Sequence, residues 1–251
     1  HHLLLGLDPT PLGSSPFTLC TDQAVEVAAR SLDLQVPPGT RAYVLPCIAG
    51  HIGADTAGVL LAESPWDLDE ISLIIDVGTN AEIILGNRDS LLVASSPTGP
   101  AFEGAQISSG QRAAPGAIER VRIDPETLEP RFKVIGGELW SDEPGFEDEL
   151  GDKGVTGICG SGIIEVIACM YLAGIVRPDG VINGAMTDRT PRIEATGRTF
   201  SYLLHAGQPE IRIHQSDVRA IQLAKAGLYA GARILMDRLG VDKVDRIRLA
   251  G

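Results

Sequence analysis

The sequence has no apolar run that approaches the roughly 18 to 20 residues needed to span a bilayer. Its start, His1 to Gly6, also lacks the basic flank and the small-residue cleavage site of a signal peptide. Basic residues are few, and 21 Lys and Arg against 33 Asp and Glu leave a net charge of −12. Proteins that bind a nucleic-acid backbone usually carry the opposite sign. We therefore expect a cytoplasmic protein that contacts neither a membrane nor nucleic acid.

Cysteine is also scarce. Cys20, Cys47, Cys159 and Cys169 form no Cys-x-x-Cys pair, and a chain of 26.5 kDa needs no disulfide framework, so we expect reduced thiols. What is abundant is apolar and turn-forming: 44% hydrophobic residues, 29 Gly and 16 Pro. This composition excludes long-range disorder and a coiled coil, and it favours a loop-rich α/β chain with one large domain or two small ones.

Both ends of the chain read as if a larger protein had been cut. No initiator Met precedes the apolar first residues, and residues 246–251 read as a short strand that stops where a glycine turn begins. We therefore expect a fragment of a larger protein. His1 and His2 fit either a tag remnant or native residues.

Apolar periodicity predicts the order of the secondary-structure elements. The predicted elements are a helix over 22–32, strands over 42–48, 71–76, 81–86 and 90–95, a hairpin over 118–123 and 131–136, a helix over 161–173, short strands within 192–213, and a helix over 216–239. The acidic, turn-rich residues 138–153 read as a solvated surface loop. Gly227 and Gly231 lie within the last helix, where each costs about 1 kcal/mol relative to Ala. Close approach of a neighbouring backbone or a ligand would explain them.

The sharpest signal for chemistry is Asp76-Val77-Gly78-Thr79-Asn80, which lies between a buried strand and the next one. An Asp at a strand end can hold a hydrated divalent cation, and Gly78 lets the backbone approach a phosphate without an intervening Cβ. Thr79 and Asn80 add a hydroxyl, an amide and two backbone N–H groups, and successive N–H donors in a tight turn form an anion-binding concavity. The same five residues also suit an ordinary hairpin turn without a ligand.

A second signal is the glycine-rich stretch at 157–162 (GICGSG), directly before a predicted helix. Free N–H groups and the helix dipole at such an N-terminus favour anions, although neither the Rossmann nor the P-loop spacing is present. Close packing of the helix against a sheet explains the same glycines without a ligand. Cys159 is either a nucleophile with a pKa lowered by the helix start or a small unreactive residue, which is the interpretation that we favour.

The third signal is the end of the chain, residues 248–251, which would place a glycine turn beside the end of a sheet, where nucleotides bind in α/β proteins. Together the three signals resemble the actin-like ATPase superfamily. Residues 76–80 look like its second phosphate loop, residues 157–162 like its second connecting motif, and Gly251 like the first glycine of its adenosine motif. The resemblance implies an α/β, ribonuclease H-like fold with a mixed sheet and flanking helices.

A narrower resemblance rests on five motifs, which are residues 46–55 (PCIAGHIGAD), 76–83 (DVGTNAEI), 99–105 (GPAFEGA), 114–118 (APGAI) and 222–225 (QLAK). This combination is similar to the reductive activators of corrinoid proteins, and the similarity runs over nearly all 251 residues. It implies that residues 1–65 are the end of the first actin-like subdomain. Residues 66–251 would then form the second subdomain.

Whole members of that family carry an N-terminal plant-type [2Fe–2S] ferredoxin domain. They use ATP hydrolysis to deliver a low-potential electron to a Co(II) corrinoid on a partner protein, which becomes Co(I). The resemblance therefore implies ATP and Mg²⁺ as cofactors, a corrinoid protein as partner, and a homodimer. This chain has no four-cysteine motif and no first phosphate loop. We thus expect the cluster to belong to a domain outside it, and we expect weak or no ATPase activity from this chain alone.

The resemblance also implies a role for each residue of the phosphate loop. Asp76 would position Mg²⁺ or the metal-bound water, and it is one of two implied catalytic residues. Gly78, Thr79 and Asn80 would cradle the β- and γ-phosphates of the nucleotide. Gly251 would contribute to nucleotide binding as the start of the adenosine motif.

Five further residues take implied roles around the nucleotide. Gly160, Ser161 and Gly162 would line its ribose and phosphate side. Glu103, the second implied catalytic residue, would order the attacking water or the domain hinge. Lys225 would flank adenine, although an exposed helix lysine without a ligand explains it equally.

Three other functions remain open from the sequence. A small-molecule kinase of the same superfamily would need a general-base Asp and a substrate pocket in the other lobe. A non-catalytic, nucleotide-sensing docking module would bind a partner without hydrolysis. The glycine-rich turns could also be structural, with no ligand at all, and a thermal shift with MgADP would separate this case from the others.

Overall fold

The structure is a computed structural model that describes residues 2–251, so His1 lies outside the described residues. The strands are β1 (Val25–Ala28), β2 (Arg41–Val44), β3 (Ser72–Val77), β4 (Ala81–Gly86), β5 (Leu91–Ser96), β6 (Ala117–Ile123), β7 (Pro130–Val134), β8 (Gly157–Ile158), β9 (Ile193–Thr196), β10 (Thr199–His205), β11 (Ile211–His214) and β12 (Arg246–Ala250). The α-helices are α1 (Ala54–Glu63), α2 (Phe146–Leu150), α3 (Gly160–Leu172) and α4 (Gln215–Leu239). No helix among residues 2–251 is long and apolar enough to cross a membrane.

The chain divides into two units, which we describe separately. The first runs to Val77 and adds Ala81–Ser96 and Tyr229–Gly251, and the second comprises Gly78–Asn80 and Pro97–Leu228.

A mixed sheet with the strand order β12-β3-β4-β5 forms the centre of the first unit. Tight turns join β3, β4 and β5, which pair antiparallel, whereas β12 pairs parallel to β3. Ala81, Ile83, Ile84 and Leu85 of β4 are fully buried. A Cβ on Gly231 of α4 would lie 2.6 Å from Cδ1 of Ile83, so a side chain of the sheet, rather than a ligand, explains this helix glycine.

The predicted helix over residues 22–32 is wrong. Residues Val25–Ala28 form β1, which pairs antiparallel with β2, and Ala29–Leu32 form a single 3₁₀ turn. Along β1 half-buried and exposed residues alternate, which is the two-residue period of a strand. Two β-branched valines in four residues favour this pairing over a helix that would have to form alone.

The second unit contains two three-stranded sheets, with the strand orders β7-β6-β8 and β11-β10-β9. The predicted hairpin over 118–136 is confirmed, with Val121 of β6 opposite Phe132 of β7. Helix α3 packs on β6, and its Ile163, Val166 and Met170 are fully buried in the core of this unit. The sheets and helices confirm the predicted α/β class with a mixed sheet and flanking helices.

The acidic stretch at 138–153 is more ordered than the predicted surface loop. It contains α2, whose Phe146 is buried and packs edge-on against Phe132 with ring centroids 5.8 Å apart. The carboxylate of Glu149 accepts hydrogen bonds from the backbone N–H groups of Glu138 and Leu139, which lowers its pKa. The buried ring of Phe146 and the carboxylates of Glu149 and Glu143, the latter accepting from the N–H of Trp140, therefore help to order this segment.

Candidate functional site

Asp76 occupies the predicted position near the carboxyl end of β3. Its parallel neighbour on β12 is Ala250, and its antiparallel neighbour on β4 is Glu82. The carboxyl ends of adjacent parallel strands are where open α/β sheets bind ligands. Gly251 follows directly at this edge, where its Cβ would lie 2.2 Å from the carbonyl oxygen of Val77. Only a glycine permits this approach, and its φ of +112° also favours glycine.

Three carboxylates of the first unit influence one another at this edge. Burial raises the pKa of Asp76, and the negative charge of Asp55 raises it further. Burial also raises the pKa of Glu82, with smaller contributions from Asp55 and Asp76, while a hydrogen bond from Ser95 opposes the rise. Asp55 lies in the first turn of α1.

One or two of the carboxylates of Asp55, Asp76 and Glu82 suffice for a divalent cation. None of the ion pairs found among residues 2–251 includes any of these three side chains. Asp76 and Glu82 are half-buried and Asp55 is exposed. Like charges near one another without a basic partner are unfavourable, and a cation relieves this repulsion. The described residues contain no group of three or more His, Cys, Asp or Glu side chains placed to hold a metal by themselves. Mg²⁺ does not need one, because it is commonly held by one or two carboxylates together with phosphates and water.

Asp55→Asn is expected to lower the pKa values of Asp76 and Glu82, because it removes a negative charge that raises both. Where a folded-state pKa is raised, stability is highest below the unfolded value and falls as the pH rises through the folded value. The contribution of Asp76 to the unfolding free energy should therefore decrease above pH 3.8, the ordinary value of Asp, and this decrease should be less steep in the variant. NMR titration of the side-chain carboxyl carbons measures the pKa values directly. An unshifted Asp76 would contradict the coupling.

The bend at Gly78–Asn80 is held from within the second unit. The N–H of Gly78 donates to the carbonyl of Asn80 at 3.0 Å. The buried hydroxyl of Thr98 lies 3.3 Å from the carbonyl of Gly78 and 3.2 Å from that of Thr79, to which it donates. Among the described backbone hydrogen bonds, the N–H groups of Thr79 and Asn80 have no acceptor. The bend thus has its carbonyl groups satisfied and two exposed donors available for an anion.

Glu103 contacts this bend directly. The hydroxyl of Thr79 donates to Oε1 of Glu103 at 2.5 Å, and both residues are exposed. Glu103 ends the 3₁₀ turn Pro100–Glu103, and a Cβ on Gly160 would lie 1.8 Å from the carbonyl oxygen of Phe102 in that turn. The structure therefore brings three predicted site residues of the second unit together: Thr79, Glu103 and Gly160.

The predicted site residues at the start of α3 differ in their burial. Gly162 is buried, and its Cβ would lie 2.3 Å from the carbonyl oxygen of Ile118, so close packing on β6 requires this glycine. Ser161 is exposed. The thiol of Cys159 is buried and donates to the carbonyl of Ile118 at 3.3 Å, which supports its interpretation as a small unreactive residue. A role of Gly160, Ser161 and Gly162 toward a nucleotide stays a prediction.

Lys225 lies on α4 beside a groove of about 650 Å³ between α3 and α4, whose lining includes none of the other predicted site residues. A second cavity of about 680 Å³ in the same unit contains no predicted site residue, since it is lined by residues such as Arg131, Phe132 and His205. Cavity size therefore does not identify the predicted nucleotide residues. That Lys225 flanks adenine remains a prediction.

Comparison with known protein families gives two matches that together cover most of the chain. A model described as the C-terminal domain of RACo, the ASKHA domain, matches residues 70–251, and a model of the RACo middle region matches residues 1–64.

The chain belongs to the RACo family.

Three similar proteins carry names that refer to the activation or reduction of corrinoid proteins. The corrinoid activation enzyme RamQ of Eubacterium limosum is 34% identical over 262 residues, a match that covers 100% of this chain and 41% of RamQ. The "[Co(II) methylated amine-specific corrinoid protein] reductase" of Methanosarcina barkeri is 34% identical over 161 residues, which covers 61% of this chain and 29% of that protein. A solved structure of a "Reductive activator for corrinoid,iron-sulfur protein" superposes with a TM-score of 0.81 at 32% identity, covering 100% of this chain and 38% of that chain. The resemblance and the ASKHA-type fold are thereby confirmed, and the chain spans about two fifths or less of these relatives.

Two residues of the candidate site have no role predicted from the sequence. Asp55 lies within a family-like motif, but 21 positions separate it from Asp76, and only the fold couples the two charges. The hydroxyl of Thr98 contacts the loop carbonyls. Because Ser95 and Ser96 closely precede it, residue type alone does not single out Thr98 in the sequence.

Proposed function

We propose that this chain is the nucleotide-binding region of a longer protein that uses ATP hydrolysis to reduce a Co(II) corrinoid protein to the Co(I) state. The observation that carries the proposal is the bend at Gly78–Asn80, where the N–H groups of Thr79 and Asn80 have no backbone acceptor among the described residues. Two positions before the bend in sequence lies Asp76, which takes part in no ion pair found among residues 2–251. Membership of a family with an ASKHA domain supports nucleotide binding, and the names of both curated relatives support a corrinoid protein as the partner.

The residues of the bend fit a nucleotide that carries Mg²⁺. The N–H groups of Thr79 and Asn80 would donate to phosphate oxygens, and Asp76 would hold the cation through its carboxylate or through a bound water. When bound, Mg²⁺ neutralises part of the charge on the phosphates. Gly251 packs against the backbone of Val77 at the end of the sheet, and it would contribute to nucleotide binding as the start of the adenosine motif.

In our proposal, the electron that reduces the corrinoid comes from a group outside this chain. Reduction of Co(II) to Co(I) consumes one electron, and none of the described residues forms a site for an iron–sulfur cluster. We place a [2Fe–2S] cluster in the additional length that the relatives possess. ATP binding and hydrolysis would favour one of two conformations, and they can shift that equilibrium only by the difference in affinity between the two.

The test is reduction of the partner's Co(II), followed by its visible spectrum, with the full-length protein and a low-potential reductant. The rate is expected to depend on ATP and to fall to background with ADP. An equal rate without nucleotide would contradict the proposal. We also propose a homodimer, as the resemblance implies, and light scattering of the same preparation measures its mass.

A further inference from the structure

Glu103 places a negative charge next to the bend that is proposed to receive phosphates. Its Oε1 accepts the hydrogen bond of the Thr79 hydroxyl at 2.5 Å. No ion pair found among residues 2–251 includes Glu103. An anion that accepts from Thr79 must therefore replace this carboxylate or lie beside it.

The backbone of Glu103 is held on both sides and cannot withdraw easily. Gly160 of α3 packs against the carbonyl of Phe102, and a Cβ on Gly160 would lie only 1.8 Å from that carbonyl oxygen. On the other side Gly104 has a φ of +81°, and its Cβ would lie 2.6 Å from the carbonyl oxygen of Gln111. Only the side chain of Glu103 is free to turn, so its charge stays within reach of the bend.

We propose that Glu103 makes this bend selective for phosphate groups that carry a divalent cation, an inference that rests on the nucleotide binding proposed above. A bare phosphate at Thr79 meets the carboxylate as a like charge, which is repulsive at contact distance. A phosphate that carries Mg²⁺ brings a positive charge, and the waters of the cation can donate to the carboxylate. Glu103 thus penalises free nucleotide and tolerates the metal complex, and it is a specificity-determining residue rather than a group that takes part in bond breaking.

The test measures the dissociation constant of ADP by calorimetry with the full-length protein, once with Mg²⁺ and once with EDTA. Glu103→Gln removes the charge but keeps an oxygen that accepts from Thr79. We expect this variant to reduce the ratio of the dissociation constant in EDTA to that in Mg²⁺ by about tenfold, mainly because metal-free ADP binds more tightly. Glu126→Gln, which removes a charge from an exposed hairpin turn of the same unit, should leave the ratio unchanged.

A second variant separates the charge from the hydrogen bond. Thr79→Val abolishes the bond to Glu103 but leaves the carboxylate in place, so the preference for the magnesium complex should persist. An unchanged ratio in Glu103→Gln would overturn the role of Glu103 and leave the nucleotide site intact. Absence of ADP binding to the wild type under both conditions would overturn the nucleotide site and this inference together.

Discussion

Asp76→Asn is expected to lower the ATPase rate by about 10²-fold, the typical effect of removing one well-placed electrostatic group from a reacting centre. Asparagine has nearly the same shape but no charge, so it would remove the carboxylate that we propose positions Mg²⁺ while it fits the same space on β3. The comparison is made at saturating Mg²⁺ in the full-length protein, with phosphate release as the measurement.

The same substitution is expected to leave the fold equally stable or more stable at neutral pH. Burial and the charge of Asp55 raise the pKa of Asp76 in the folded state. Its ionised form therefore destabilises the fold as the pH rises through that raised value, and asparagine removes this contribution. Urea unfolding at pH 7 measures the difference. Loss of activity together with stability would instead indicate a structural role.

Asp89→Asn is the matched control for this experiment. Asp89 lies in the exposed turn between β4 and β5, and it undergoes the same chemical change without a buried, like-charged environment. Its activity and its pH dependence of stability should remain those of the wild type. If Asp89→Asn lowered the rate as strongly as Asp76→Asn, the effect would reflect net charge rather than the site.

The local sequence pattern predicted the elements that are long or that are joined to a partner by a tight turn. The hairpins around Gly86 and within 118–136, and the long helix α4, have strong periodicity or close partners in sequence. The stretch at 22–32 was misassigned because a four-residue strand has little periodicity of its own. Its stability depends on pairing with β2 across an intervening turn.

The candidate site shows a different limit of prediction from sequence. Residue types at 76–80 indicate phosphate chemistry because the backbone donors and the carboxylate are consecutive. The electrostatic coupling of Asp55 with Asp76 and the hydrogen bond of Thr79 with Glu103 join residues more than 20 positions apart, and only the fold brings them together. Either a ligand or close packing could explain the glycines at the start of α3. For Gly162 the explanation is close packing against β6.

Gly160→Ala is expected to destabilise the second unit by about 2–4 kcal/mol, although alanine is the better helix former by about 1 kcal/mol. The new Cβ would lie 1.8 Å from the carbonyl oxygen of Phe102 and 3.4 Å from Cα of Glu103. Both atoms are backbone, so the strain can be relieved only if α3 or the turn at 100–103 moves. Gly13→Ala is the control, because no atom lies within 4 Å of a Cβ at that position. Guanidinium unfolding followed by circular dichroism should show a lower midpoint for Gly160→Ala alone, and an equal or higher midpoint would mean that the turn carrying Glu103 is not held by α3.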